Sequence, residues 1–182
     1  MEGSQIDFNT ITAGSTISLD TVTLTSGNGN GDITGVDMTA GPDASSAIAI
    51  GSVNIAGNST IGGSLSVDAG TNILLGTVVT QVGGVSADAN GTITYGSINS
   101  GDGISMFAGG LINGGDLTAV TDLLLDGGDV AIGDAAAGTI DITTGADILF
   151  DSLTAPTGIT LTAVNGTIAA NTGNGDIDSG GG

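Results

Sequence analysis

An all-β fold, specifically a parallel β-solenoid, is what this sequence predicts, and three observations carry the prediction. Short aliphatic runs alternate with small polar residues, glycine-led turns separate them every 8 to 20 positions, and only Phe8, Tyr95, Phe107 and Phe150 are aromatic. Period-two alternation rich in Ile, Val and Thr marks strands. With 35 glycines among 182 residues, helix is disfavoured along the whole chain.

Taken in order, the chain opens on a strand in which Ile6, Phe8 and Ile11 alternate with polar residues. Alternating pairs then follow at Ile17 and Leu19, Val22 and Leu24, Val53 and Ile55, Leu65 and Val67, Ile140 and Ile142, and Ile159 and Leu161. Each is bounded by NG, GN, GG, GD or DG, the dipeptides of tight turns. Two stretches read as departures from regular coil. Residues 39–48 hold Pro42 among small polar residues and predict a protruding loop, and residues 133–139 predict a second, tighter excursion.

Beneath these strands lies an internal repeat. Glycine, usually followed by Asp, Thr or Ser, precedes a branched aliphatic at least ten times, beginning at Gly14, Gly31, Gly91, Gly101, Gly115, Gly128, Gly138, Gly158, Gly166 and Gly175. A repeated unit that cannot bury its own apolar face buries it by stacking on its neighbours. A sandwich or propeller fills a core about 10 Å thick with bulky rings, and a membrane barrel needs aromatic girdles. Four aromatics supply neither. A slim interior of stacked Ile, Leu and Val fits, with glycine and asparagine at corners of positive φ.

At roughly 20 residues per coil the chain makes roughly nine coils, a rod on the order of 43 Å long at about 4.8 Å per step. The predicted interior is Ile17, Leu19, Ile33, Ile55, Leu65, Val67, Ile93, Ile140, Ile142, Ile148, Ile159, Leu161 and Ile168. One solenoid is expected across residues 1–182, as a segment of a longer protein or a repeating filament subunit. Neither terminus reads as a cap, so coil-on-coil stacking is expected with the rest of a parent chain or end to end between copies.

Charge narrows the function classes. The chain has 19 acidic residues, no Lys, Arg or His, and a net charge of -19. Nucleic-acid binding depends on cationic side chains, as does attraction to anionic membranes. No apolar run approaches the 18 residues of a membrane span. With no imidazole, thiol or amine, the usual bases, nucleophiles and zinc ligands are missing. No residue is therefore assigned to catalysis, to a cofactor or to a required metal, and the chain is not expected to be an enzyme.

Several motifs still invite a test. Residues 27–35 and 172–182 resemble the calcium-binding nonapeptide turn, with Asp32 and Asp176 as the acids, but the two copies are far apart and true arrays are tandem. Asp176 and Asp178 form a paired-acid strand face, for which solvated acids are the better reading. Thr-x-Thr pairs at Thr10 and Thr12, at Thr21, Thr23 and Thr25, at Thr92 and Thr94, and at Thr160 and Thr162 suit an ordered-water face only if they recur at every coil. Asn58, Asn90 and Asn165 begin glycosylation sequons, which act only where a host pathway uses them.

The stretches DITGVDMTAG, GSLSVDAGTNILLG and GGDLTAVTDLLLDGGDVAIG resemble the degenerate repeats of filamentous-haemagglutinin-like exoproteins, large bacterial surface adhesins. The likeness extends from about Thr16 to Ile177. It implies a right-handed parallel β-helix, export to the cell surface, and service as a stalk, fibre or matrix filament in adhesion or biofilm. The alternative is a glycan- or receptor-binding adhesin module using one solenoid face or the Pro42 loop. Such a module should keep an outward aromatic and amide cluster near Tyr95 or Phe107.

Overall fold

The computed structural model describes residues 5–20, 31–171 and 175–180. The strand expected around Val22 and Leu24 lies outside these, as do the glycines of 27–30 and the start of the second calcium-like stretch at 172–174. The described residues form twenty-three strands and no helix, and all pairings are parallel. The protein is a parallel β-solenoid.

One coil shows the plan. Leu65–Ala69 runs along the first face, a short turn follows, and Ile73–Thr80 covers two further faces before another turn leads to Val85. Within Ile73–Thr80 the inward residues are Ile73 and Leu75, then Val78 and Thr80, so the alternation changes phase around Gly76. That phase change is a corner. Each coil thus has three sides, here called faces A, B and C. Face A is an eight-stranded sheet, while faces B and C form one fifteen-stranded sheet that divides into two ribbons along the glycine corner.

Partners in register fix the coil length. Leu65 sits beside Val85, Val85 beside Ile104, and Leu123 beside Ile140, so a coil takes 17 to 20 residues. The first step is longer, pairing Ser18 with Ser46 across 28 residues. Because of that step and the partial end coils, the stack makes about seven turns instead of the nine expected. At about 4.8 Å per step the rod is roughly 34 Å long.

Inside, the sheet register stacks like on like. On face B one column reads Ile6, Ile33, Val53, Ile73, Ile93, Ile112, Val130, Ile148 and Ile168. On face A, Leu65, Val85, Ile104, Leu123, Ile140 and Ile159 form another. β-Branched side chains suit this geometry because each χ1 is already restricted and packs flat against the residue one coil away. Ten of the thirteen predicted interior residues, from Ile17 to Ile148, are buried. The exceptions share one cause. Ile159 and Leu161 are half-buried and Ile168 is 45% exposed, because they belong to the last coil and, among the described residues, no coil lies over them.

The glycine expectation needs correcting. Among the described residues only Gly31 (φ 68°) and Gly180 (φ 57°) have positive φ. The corner glycines are required by proximity instead. At Gly57, Gly76 and Gly115 a Cβ would lie under 3 Å from a carbonyl oxygen of the preceding coil. Aromatic rings use the same device: Phe8 occupies the space that a side chain at Gly35 would fill, and Tyr95 does so at Gly114.

Both predicted excursions are ordinary coil. Asp37–Ala40 and Ser45–Ala49 are strands, leaving only residues 41–44 as a turn, and Asp134–Ala136 is a strand of face C. Proline and small residues gather there because the corner is tight. The Ser45 hydroxyl is buried and accepts the N–H of Ile17 at 3.2 Å, and Ser15 donates to the Asp43 carboxylate.

Candidate functional site

With the coil geometry known, two sets of acidic residues stand apart. The first lies at corners and accepts hydrogen bonds from the next coil. Asp32 accepts the Ser52 N–H at 2.7 Å, Asp37 that of Asn58 at 2.8 Å, Asp116 that of Asp134 at 3.1 Å and Asp129 that of Asp147 at 3.0 Å. Asp147 receives both the N–H and the hydroxyl of Thr167, and these bonds, the backbone one foremost, hold its carboxyl below the usual carboxylate range. Asn72 does the same work for Thr92. These acids satisfy turn N–H groups that would otherwise lack partners.

The second group lies on the outer surface of face A. Asp68, Asp88, Asp126 and Asp141 point outward and are exposed, and no hydrogen bond among the described residues engages their carboxylates. Register places Asp68, Asp88, Phe107 and Asp126 in one column on successive coils. Phe107 is 39% exposed. A shallow hollow of about 210 Å³ beside its ring is edged by Asp88, Asn90 and Asp126. The adjoining column runs Ser66, Ser86, Ser105, Leu124 and Asp141. A second hollow of about 430 Å³ lies past Leu124, edged by Asp102, Asp122 and Ser105.

The two aromatics named as possible recognition groups therefore part company. Phe107 faces outward, whereas Tyr95 is 4% exposed inside the rod. Burial first, then the nearby Asp116 carboxylate, pushes the Tyr95 phenol far above its ordinary range, and its hydroxyl has no hydrogen-bond partner.

The other motifs disperse. Asp32 is a corner acceptor near one end, while Asp176 pairs in register with Ser152 on the last coil of face C. No group of three or more His, Cys, Asp or Glu converges among the described residues. Asp176 and Asp178 share an exposed strand, where Asp178 accepts the Gly180 N–H at 2.9 Å. Thr10 and Thr12 lie on face C, Thr92 at a corner with Thr94 on face B, and Thr160 and Thr162 on face A. Threonine pairs on different faces form no continuous plane, and Thr21, Thr23 and Thr25 lie outside the described residues. Asn58, Asn90 and Asn165 are all exposed.

A third feature belongs to the ends. In the first coil Ile6, Ile17 and Leu19 are each 3% exposed, whereas in the last coil Ile168 is 45% and Ile177 53% exposed. Among the described residues the strands Gly158–Ala163, Ile168–Ala170 and Asp176–Asp178 each pair on one side only. The last coil thus presents an aliphatic interior and a free hydrogen-bonding edge together. Compared with protein-family models, curated proteins and solved structures, the chain matches none.

Proposed function

We propose that the chain is a structural rod of an extracellular bacterial surface fibre, stalk or matrix filament, extended by coil stacking at its C-terminal end. The observation that carries this reading is the open last coil. Exposed inward-facing Ile168 and Ile177 beside an unpaired strand edge cost free energy in water and are a ready template for another strand. The repeats that resemble surface-adhesin repeats support the setting. The difference between the ends sets the mode of joining. In the first coil Ile6, Ile17 and Leu19 are already buried, whereas the last coil exposes Ile168 and Ile177, so contact between two C-terminal coils buries more apolar surface than head-to-tail contact does.

The test is particle length by analytical ultracentrifugation and negative-stain imaging, as a function of concentration and salt. Salt screens the repulsion of chains carrying -19. The expected result is pairing into rods about twice the single length at high salt, lost in the Ile168→Asp, Ile177→Asp double variant. A strictly monomeric parent at high salt and high concentration refutes joining through this end.

A second reading, that a face of the rod also binds a target, is favoured by the exposed Phe107 among aspartates whose carboxylates make no hydrogen bond among the described residues.

A further inference from the structure

From the geometry of face A we infer a docking site for a lysine- or arginine-bearing segment of a partner protein, with one cationic head over Phe107 between Asp88 and Asp126 and an apolar neighbour on Leu124. The inference rests on the second reading above and is independent of the end contact.

Energetics point outside the chain. Like charges directly opposite one another in a sheet are destabilising, and Asp68 and Asp88 are register partners on adjacent strands. Acids at the corners are compensated by the N–H groups they accept, but these two, with Asp126 and Asp141, accept no hydrogen bond among the described residues. Compensation from within is unavailable because the sequence contains no Lys, Arg or His. In the free rod, solvent and its ions screen this column, so any side-chain cation that neutralises it is supplied by another molecule.

Phe107 decides which cation. In the column it separates Asp88 from Asp126, so a carboxylate stands one coil away on each side of the ring. The ring face attracts a cation through its quadrupole, and the flanking carboxylates add direct attraction and hydrogen-bond acceptors for a guanidinium or ammonium group. Leu124 lies diagonally next to Phe107, so an apolar ridge separates the hollow edged by Asp88 and Asp126 from the one edged by Asp102 and Asp122. A segment with cationic residues on either side of an apolar one matches this order. A neutral sugar would also stack on Phe107 and could donate hydroxyls to the carboxylates, but it would not neutralise their charge.

The probe is a fluorescein-labelled peptide, acetyl-Gly-Arg-Leu-Arg-Gly, followed by fluorescence anisotropy at low and physiological salt. A citrulline version of it and uncharged cellotetraose serve as neutral comparators. Removing a cation–π contact at an exposed site predicts binding about threefold to fivefold weaker for Phe107→Ser, at unchanged net charge. Asp88→Asn with Asp126→Asn is expected to weaken it about tenfold, and the charge-matched pair Asp7→Asn with Asp176→Asn less than twofold. These side chains are exposed, and unchanged thermal midpoints establish that each variant is folded. Equal losses for the two Asp pairs with none for Phe107→Ser would mean diffuse attraction only and overturn the site. Phe107-dependent binding of cellotetraose without peptide binding overturns the cationic partner but keeps a target-binding face. Failure of every probe to bind sinks both.

Discussion

Replacing Gly62 by Ala adds one carbon atom and is expected to destabilise the rod, while the same change at Gly145 is expected to stabilise it. A Cβ on Gly62 would lie 2.6 Å from the Gly41 carbonyl oxygen, 2.7 Å from its carbon and 2.9 Å from the Pro42 Cα. All three are backbone atoms of the preceding coil, so no side chain can swing aside. A relaxed carbon–oxygen contact is about 3.3 Å or more, leaving about 0.7 Å to be relieved by separating the coils. That separation would stretch the Gly62 N–H bond to the Ala40 carbonyl, now 3.0 Å, past the working limit of about 3.2 Å. Overpacking of this kind costs about 1–3 kcal/mol, offset by roughly 0.4–1 kcal/mol from the smaller entropy of the unfolded chain. At Gly145 the nearest atom would be the Gly128 oxygen at 3.6 Å, an ordinary contact, and φ is not positive. Only the entropic gain of about 0.4–1 kcal/mol remains there. Urea unfolding followed by far-UV circular dichroism reads both. With a denaturant slope of about 2 kcal/mol/M, the Gly62 variant should lose about 0.5–1 M in midpoint and the Gly145 variant gain a few tenths. A Gly62→Ala midpoint at or above the parent's, or equal shifts for the two, would refute the proximity account of the corners.

Three further outcomes follow from the interior and its polar groups. Ile140, 1% exposed in the middle of the face A column, replaced by Asp places an unpaired charge in the core at a cost of several kcal/mol, so an unchanged melting temperature would contradict the core assignment. Tyr95 is the sole tyrosine, and its folded-state pKa is raised, so its contribution to stability is complete below about pH 10 and is lost as pH rises beyond that. Absorbance at 295 nm should therefore stay flat through about pH 10 to 11 and rise only together with loss of the β-signal; ionisation near pH 10 in the folded rod would show that the ring is not buried. Adding a chelator is expected to leave the β-signal intact, and a large loss would promote Asp32 and Asp176 to calcium ligands.

What the sequence made legible was the residue class that faces inward. Period-two alternation at Leu65 and Val67 or Ile140 and Ile142 follows from strand geometry alone, and a narrow core accepts only aliphatics there. Two errors came from corners, where composition has more than one cause. Pro42 with its small neighbours, and the alanines after Gly133, resemble loop sequence because loops and tight corners both select small residues. Glycine was read as conformational need when its use is close approach, and the two cannot be told apart until the atom opposite the missing Cβ is known. Met38, Met106 and Tyr95 were missed as core because neither methionine nor a lone tyrosine repeats in the aliphatic pattern. Their signal was position: each falls two residues from a residue of an inward column, as Met106 does from Ile104.

The outer surface was the least legible part, and register explains why. Coils of 17, 19 and 20 residues do not bring equal sequence spacings to equal heights, so no fixed period in the sequence shows that Asp68, Asp88, Phe107 and Asp126 share a column. Nor does it show that Asp129 and Asp147 stack at a corner, each accepting an N–H from the coil after it. The two sets have the same side chain and opposite physical roles. A corner aspartate replaced by Ala loses a hydrogen bond that the turn needs, so its carboxylate is part of the fold. An aspartate of face A replaced by Asn loses no hydrogen bond among the described residues, only repulsion from an aspartate opposite it, as between Asp68 and Asp88. The charge of -19 is thus not one uniform field: the corner share is committed to holding coils together, and the face A share is what an approaching cation meets.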